Sequence, residues 1–230
     1  MGENSLPLVA ITGNAGSGKT RVCRYLRDLG ESVIELDTLA REAVIPGRPA
    51  YLKILQVFGK DMAGSSGDLD RRKVRNMVIR DDSARKRLEQ IIHPEITRLM
   101  MTEIKKAADS GKELVFIEVP LLFETGLEKK FDVVLLVVSD PQIRIDRLVR
   151  RDAITSEEAA LLIKTQLPDE MKKTASHFII QNMGSEEDLL KETGRVYREL
   201  RNYLKKNRKS LTGNITSYKD QPEQGSKPAC

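Results

Sequence analysis

Residues Gly13–Thr20 read GNAGSGKT and follow directly on the apolar run Leu8–Thr12, LVAIT. The stretch satisfies G-x-x-x-x-G-K-[ST] at every fixed position, and the segment after it, Thr20–Gly30, carries Val22, Tyr25, Leu26 and Leu29 at helical spacing with Gly30 as a stop. A Gly-rich loop between a strand and a helix is the context that makes this pattern a phosphate cradle. Glycines let the backbone wrap tightly, so that its N–H groups form an anion nest at the positive end of the helix. Lys19 supplies a point charge for β- and γ-phosphates, and Thr20 a hydroxyl for Mg²⁺. A plain strand-to-helix turn needs one or two glycines but neither Lys nor Thr. The reading is therefore a nucleoside-triphosphate site made by Gly13, Asn14, Ala15, Gly16, Ser17, Gly18, Lys19 and Thr20, with Arg21 beside it.

Working outward, four more apolar runs, Val33–Leu36, Leu114–Val119, Val133–Val138 and Phe178–Ile180, carry few polar positions. Strands of a parallel sheet covered on both faces have that pattern. Asp37 to Gly111 holds no convincing strand and reads as helices Ala50–Phe58, Asp70–Ile79, Ser83–Ile92 and Glu95–Ala108, with Ser83 as a cap and Pro94 opening the fourth. This is a helical subdomain inserted after the second strand. Later, Ser139 or Asp140 caps a helix that starts at Pro141, Thr155–Glu158 forms a capping box before Ala159–Gln166, and a last helix begins near Ser185. Asp37 stands at the end of the second strand. Ligands of open α/β sheets gather at the carboxyl ends of strands, so Asp37 reads as the group that takes the proton of an acceptor hydroxyl, as the cap of the helix after it, or as both.

Composition narrows the class. The chain has 230 residues, 40% hydrophobic and 32% charged, enough for one sizeable α/β domain. No apolar run approaches the ~20 residues of a membrane span, and the start MGENSLPL shows no secretory pattern. MGENSL approaches a myristoylation pattern, but Leu6 stands where Ser or Thr is required. Two cysteines, Cys23 and Cys230, lie at opposite ends and build no disulfide or metal framework, which points to the cytoplasm. The net charge of +5 lies wholly in residues 201–230, which hold seven basic and two acidic side chains. The body is balanced, so no nucleic-acid partner is expected.

The ordered segments ITGNAGSGKT, VIELDTLAR, PGRPAYLKILQVFG, GDLDRRKV, LEQIIHP, EVPLLFETGL and RLVRRDAITSEEA resemble dephospho-coenzyme A kinases in order and spacing, from about Val9 to Leu190. The resemblance implies a three-layer α/β P-loop kinase core with a parallel five-stranded sheet, an inserted helical substrate-binding subdomain and a helical lid. The expected layout is a single domain over 6–207: core 6–40, 111–140 and 176–207, insert 41–110, lid 141–175. Residues 208–230 are expected to form a flexible tail. The implied reaction is ATP-dependent phosphorylation of the ribose 3′-hydroxyl of dephospho-coenzyme A, with ATP and Mg²⁺ as cofactors. No membrane partner is expected, and the chain is expected to be a monomer or weak homo-oligomer.

Carried over by position, Asp37 resembles the catalytic base, with Lys19 and Arg151 as the other catalytic groups. Arg147 and Arg151 resemble lid arginines, Arg147 toward ATP, although a helix bearing Arg144, Arg147, Arg150 and Arg151 also reads as a solvated face. Glu118 resembles the acid that holds Mg²⁺ with Thr20, directly or through water; a satisfied strand-end carboxylate is the alternative. Arg41 falls one helical turn past Asp37, His93 marks either a helix junction or a substrate contact, and Pro120, Leu121 and Leu122 make an apolar wall for substrate or pack on the core. The chain departs from the family at Glu35, where a shorter acid is usual, at Leu162 before Gln166, and at Ser176-His177. Two other readings are another P-loop small-molecule kinase acting on a nucleotide and a non-catalytic nucleotide-binding relative. No N-K-x-D sequence supports a GTPase.

Overall fold

The computed structural model describes residues 6–207. The basic tail at 208–230 and the myristoylation-like start at 1–5 lie outside the described residues. Five strands, β1 (Leu8–Thr12), β2 (Ser32–Glu35), β3 (Val115–Glu118), β4 (Val133–Val138) and β5 (Phe178–Gln181), form one sheet in the order β2-β3-β1-β4-β5. The sheet is parallel, with Ile11 opposite Glu118 on one side of β1 and opposite Leu135 on the other. β1 and β4 are buried along their whole length, as expected of strands covered on both faces. After β1 the chain reaches β2 and β3 on one side, then β4 and β5 on the other. The carboxyl end of β1 is thus the topological switch point where such sheets hold ligands.

Helix α1 (Lys19–Asp28) buries Val22, Cys23 and Leu26, and α9 (Glu186–Asn207) buries Leu189, Val196 and Leu200; both stripes pack with Val9, Ile11, Phe116, Leu135 and Val137 in one core. Between β4 and β5 run α6 (Pro141–Asp152), α7 (Ser156–Lys164) and α8 (Asp169–Thr174). Asp140 is the cap of α6, accepting from the N–H groups of Gln142 and Ile143. α7 carries the capping box at Thr155 and Glu158. It ends two residues short of Gln166.

The chain divides into two compact units, Glu35–Lys106 and the remainder. The helical unit spans 35–106, beside the 41–110 expected for the insert, and it includes Asp37. The segment 141–175 belongs to the same compact unit as the sheet. The helical unit contains α2 (Leu36–Ala43), α3 (Pro49–Phe58), α4 (Arg71–Arg80) and most of α5 (Asp82–Asp109). Ala50, Ile54, Leu88 and Ile91 form its core. Two expected helices are one: α5 runs through Pro94. Proline there removes a backbone donor, but Gln90, His93 and Pro94 are all exposed, so water can take the released carbonyl. The cap of α5 is Asp81, whose Oδ1 accepts the Ala84 N–H at 3.0 Å; Ser83 is already inside the helix. Among the described residues no helix is long and apolar enough to cross a membrane.

Candidate active site

The phosphate loop follows β1 at the switch point. Gly13 has φ 148, and a Cβ there would stand 2.3 Å from the Val137 carbonyl oxygen; Gly18 has φ 101, and its Cβ would stand 2.3 Å from Asn182 Nδ2. Both glycines are required by left-handed backbone and by close approach of buried neighbours. Among the described residues no protein acceptor takes the N–H groups of Gly16, Gly18, Lys19 and Thr20, whereas Ser17 bonds to Asn14 and Arg21 to Gly18. Four backbone donors at the start of α1 are thus left for an anion. Lys19 Nζ donates to the Gly13 and Asn14 carbonyls at 2.6 and 3.2 Å. Burial holds its pKa below the usual lysine value, Glu118 pulls the other way, and the cations of Lys172 and Arg151 push it down further. Glu118 ends β3 half-buried, and Thr20 is exposed in the first turn of α1.

A second layer holds this loop from behind. Arg147 was expected to reach ATP. Its guanidinium instead donates to the Gly16 carbonyl and Ser139 Oγ, both at 3.2 Å, and to Asn182 Oδ1 at 3.1 Å. Asn182 Nδ2 in turn donates to the Ser17 carbonyl at 2.8 Å. Burial lowers the Arg147 pKa. The Asn14 side chain also turns away from the cradle. Nδ2 donates to Asp169 Oδ1 at 2.7 Å and to the Leu167 carbonyl at 3.2 Å, and Oδ1 accepts from Lys172 Nζ at 2.5 Å. Gln166 Oε1 accepts the Ala15 N–H at 2.7 Å.

Other expected positions fall as follows. Arg151 is mostly exposed and bonded to Asp152 at 2.7 Å through two nitrogens, while remaining close enough to lower the Lys19 pKa. Arg21 pairs with Glu186 in the first turn of α9. Leu122 is fully buried in the core, so it is no wall for a ligand. Leu121 is exposed and Pro120 half-buried.

In the helical unit, Asp37 is exposed in the first turn of α2, whose N-cap is Glu35. The capping role suggested for Asp37 therefore does not hold; Glu35 stands there, and its Oε2 accepts from Thr38 Oγ1 at 3.1 Å. Arg41 lines an open cavity of about 770 Å³ beside α2, α4 and α5, together with Arg71, Arg75, Val44, Val74 and Ile92, with Glu42 and Asp68 on its wall. His93 is exposed on α5 and does not line it.

Sequence reasoning missed Asn182, Glu124, Asp169 and Lys172. Only Glu124, inside EVPLLFETGL, sat in a segment already singled out. The departure at His177 has a structural use: Nδ1 accepts the Val134 N–H at 3.1 Å while the His177 N–H bonds to the Val134 carbonyl at 2.9 Å, extending the ladder ahead of β5. Leu162 is exposed on α7.

Comparison with known proteins is consistent across sequence and structure. The family described as dephospho-CoA kinase matches residues 7–188. A dephospho-CoA kinase of Anaeromyxobacter dehalogenans is 36% identical over 194 residues, 84% of this chain and 92% of that protein. One from Geobacillus kaustophilus is 37% identical over 180 residues, 78% and 90% of the two chains. A crystal structure from Thermus thermophilus superposes with a TM-score of 0.74 at 35% identity, covering 85% of this chain and 98% of that one. The dephospho-CoA kinase of Campylobacter jejuni gives a TM-score of 0.62 at 25% identity, covering 84% and 96%.

Proposed function

The chain belongs to the dephospho-CoA kinase family, and from that membership we propose how its residues move the γ-phosphate of ATP to the ribose 3′-hydroxyl of dephospho-CoA. The products are coenzyme A and ADP, in the last step of coenzyme A biosynthesis. The observation that carries the assignment of parts is the loop Gly13–Thr20, with its four unclaimed N–H groups and Lys19 beside them. The backbone donors grip the phosphates. Lys19 leaves its carbonyl partners to meet the β- and γ-oxygens, and Arg151 leaves Asp152 to add charge as the transferred group passes. Asp37 accepts the proton of the attacking hydroxyl.

Thr20 and Glu118 fit Mg²⁺, an ion that takes one or two protein oxygens and otherwise phosphates and water. When bound, Mg²⁺ neutralises phosphate charge. Within the helical unit, the cavity lined by Arg41, Arg71 and Arg75 suits the diphosphate of dephospho-CoA, and its aliphatic wall suits the pantetheine arm. A cytoplasmic setting agrees with a buried Cys23 that is held in no disulfide.

The test offers the purified protein ATP and Mg²⁺ with dephospho-CoA or, separately, nucleoside monophosphates. ADP release with 3′-phosphorylation is expected for dephospho-CoA alone. Turnover of a monophosphate instead overturns the reading. Titration adds a second check. The lowered Lys19 pKa means that its proton is lost at lower pH than from a free lysine, and the triphosphate needs the charged form. ATP affinity should fall as pH rises, beginning below the usual lysine range, and the weak affinity left in Lys19→Met should be flat there. Stability moves oppositely. The unfolded chain binds this proton more tightly, so between the two pKa values Lys19's contribution to stability grows with pH.

A further inference from the structure

Lys172 projects from α8 and is completely buried. An ammonium so placed is costly unless fully engaged. It donates to Glu124 Oε1 at 2.6 Å and to Asn14 Oδ1 at 2.5 Å. Glu124 Oε1 also accepts the Leu167 N–H at 3.0 Å. The Leu167 carbonyl and Asp169 Oδ1 then accept from Asn14 Nδ2. These contacts form a closed ring. The ammonium fixes which end of the Asn14 carboxamide faces inward, and that amide fixes the loop relative to the segment between α7 and α8. The ring matters for chemistry because the backbone it grips is where Lys19 docks: the carbonyls of Gly13 and Asn14 accept from Lys19 Nζ. An apolar residue at 172 would anchor a short helix with a smaller desolvation cost. The charge adds a directional hold on the loop.

We propose that Lys172 is a positioning residue for nucleotide binding, which acts through Asn14 to keep the phosphate loop in its binding shape before ATP arrives. Preorganisation of this kind appears as affinity, because the ligand no longer has to order its own site. The inference rests on Gly13–Thr20 holding ATP.

Lys172→Met is expected to raise the KM for ATP by about tenfold or more while the KM for dephospho-CoA stays within about twofold. Because this change strands the Glu124 carboxylate, Asn14→Ala is the companion variant; it keeps the Lys172–Glu124 pair and removes only the loop end of the ring. It should show the same ATP defect, by KM and by direct titration with ATP without acceptor. The two changes together should cost little more than either alone, since they break one connection. A merely structural lysine would lower the yield of active enzyme and leave the KM for ATP fixed; that result in either variant, or additive effects of the two, overturns the proposal. If Lys172→Met does not fold, the titration of Asn14→Ala decides alone. Failure of the unmutated protein to bind ATP would remove the reading of the loop itself. Normal binding by all three proteins removes only the role of Lys172.

Discussion

Asp37→Asn is expected to lower kcat by about 10²–10⁴-fold, the usual worth of a positioned proton acceptor, with ATP affinity unchanged within about twofold. A ribose hydroxyl is a weak nucleophile while it keeps its proton. Asn preserves the size of the side chain and an oxygen that accepts a hydrogen bond, but its carboxamide takes up no proton at working pH. The four unclaimed N–H groups of the loop and Lys19 belong to the other compact unit, so the substitution leaves every group proposed to hold the nucleotide in place. Asp37 is exposed in the first turn of α2, so folding should survive. Turnover by ADP release and a separate ATP titration read the two effects apart. Glu35→Gln is the matched control, an acid two residues earlier at the N-cap of the same helix. A loss smaller than about tenfold in Asp37→Asn would mean that alignment of the hydroxyl, rather than proton removal, governs the step, as a loose transition state permits.

Much of the sheet was legible because its strands announce themselves. β1 and β4 are unbroken apolar runs buried on both faces, and the expected limits of every strand lie within one residue of the observed ones. Helices were legible where an apolar stripe or cap marked them: Asp140 before Pro141, and Thr155 with Glu158. α8 was missed for a physical reason. Its single buried residue is Lys172, so an apolar-periodicity reading has nothing to register. Pro94 misled in the opposite direction. It reads as a helix start, yet it sits on the exposed side of one continuous helix where the lost hydrogen bond is cheap.

The candidate site divides along the same line. The loop's backbone was readable, because its glycines fall where positive φ and close approach of neighbours require them. Side-chain direction was not. Asn14 and Arg147 lie in recognised segments, but what aims them is Lys172, Asp169 and Asn182, and local pattern carries no trace of partners so distant in sequence. The expected Pro120–Leu122 wall divides similarly: Leu122 is buried, whereas Leu121 is exposed and Pro120 half-buried.

Lys19→Met is expected to reduce kcat/KM by roughly 10²–10³-fold or more, the cost of removing one preorganised group that stabilises developing charge. Its effect on folding should be small, because opposing contributions meet at this side chain. The substitution gives up hydrogen bonds to the Gly13 and Asn14 carbonyls, each worth about 1 kcal/mol. It also relieves the burial that depresses the Lys19 pKa, since a thioether of similar length has no charge to desolvate. For a chain of this size a residual imbalance of about 1 kcal/mol moves Tm by roughly 2–4 °C. Activity and stability thus separate at Lys19, the pattern of a residue whose charge is held in an unfavourable place for its ligand's sake. A thermal melt and a turnover assay on the same preparation check both halves. Turnover within about tenfold of the unmutated enzyme would show that the backbone donors alone carry the phosphate. A drop in Tm of more than about 10 °C, with activity lost in proportion to folded protein, would make Lys19 a strut of the loop.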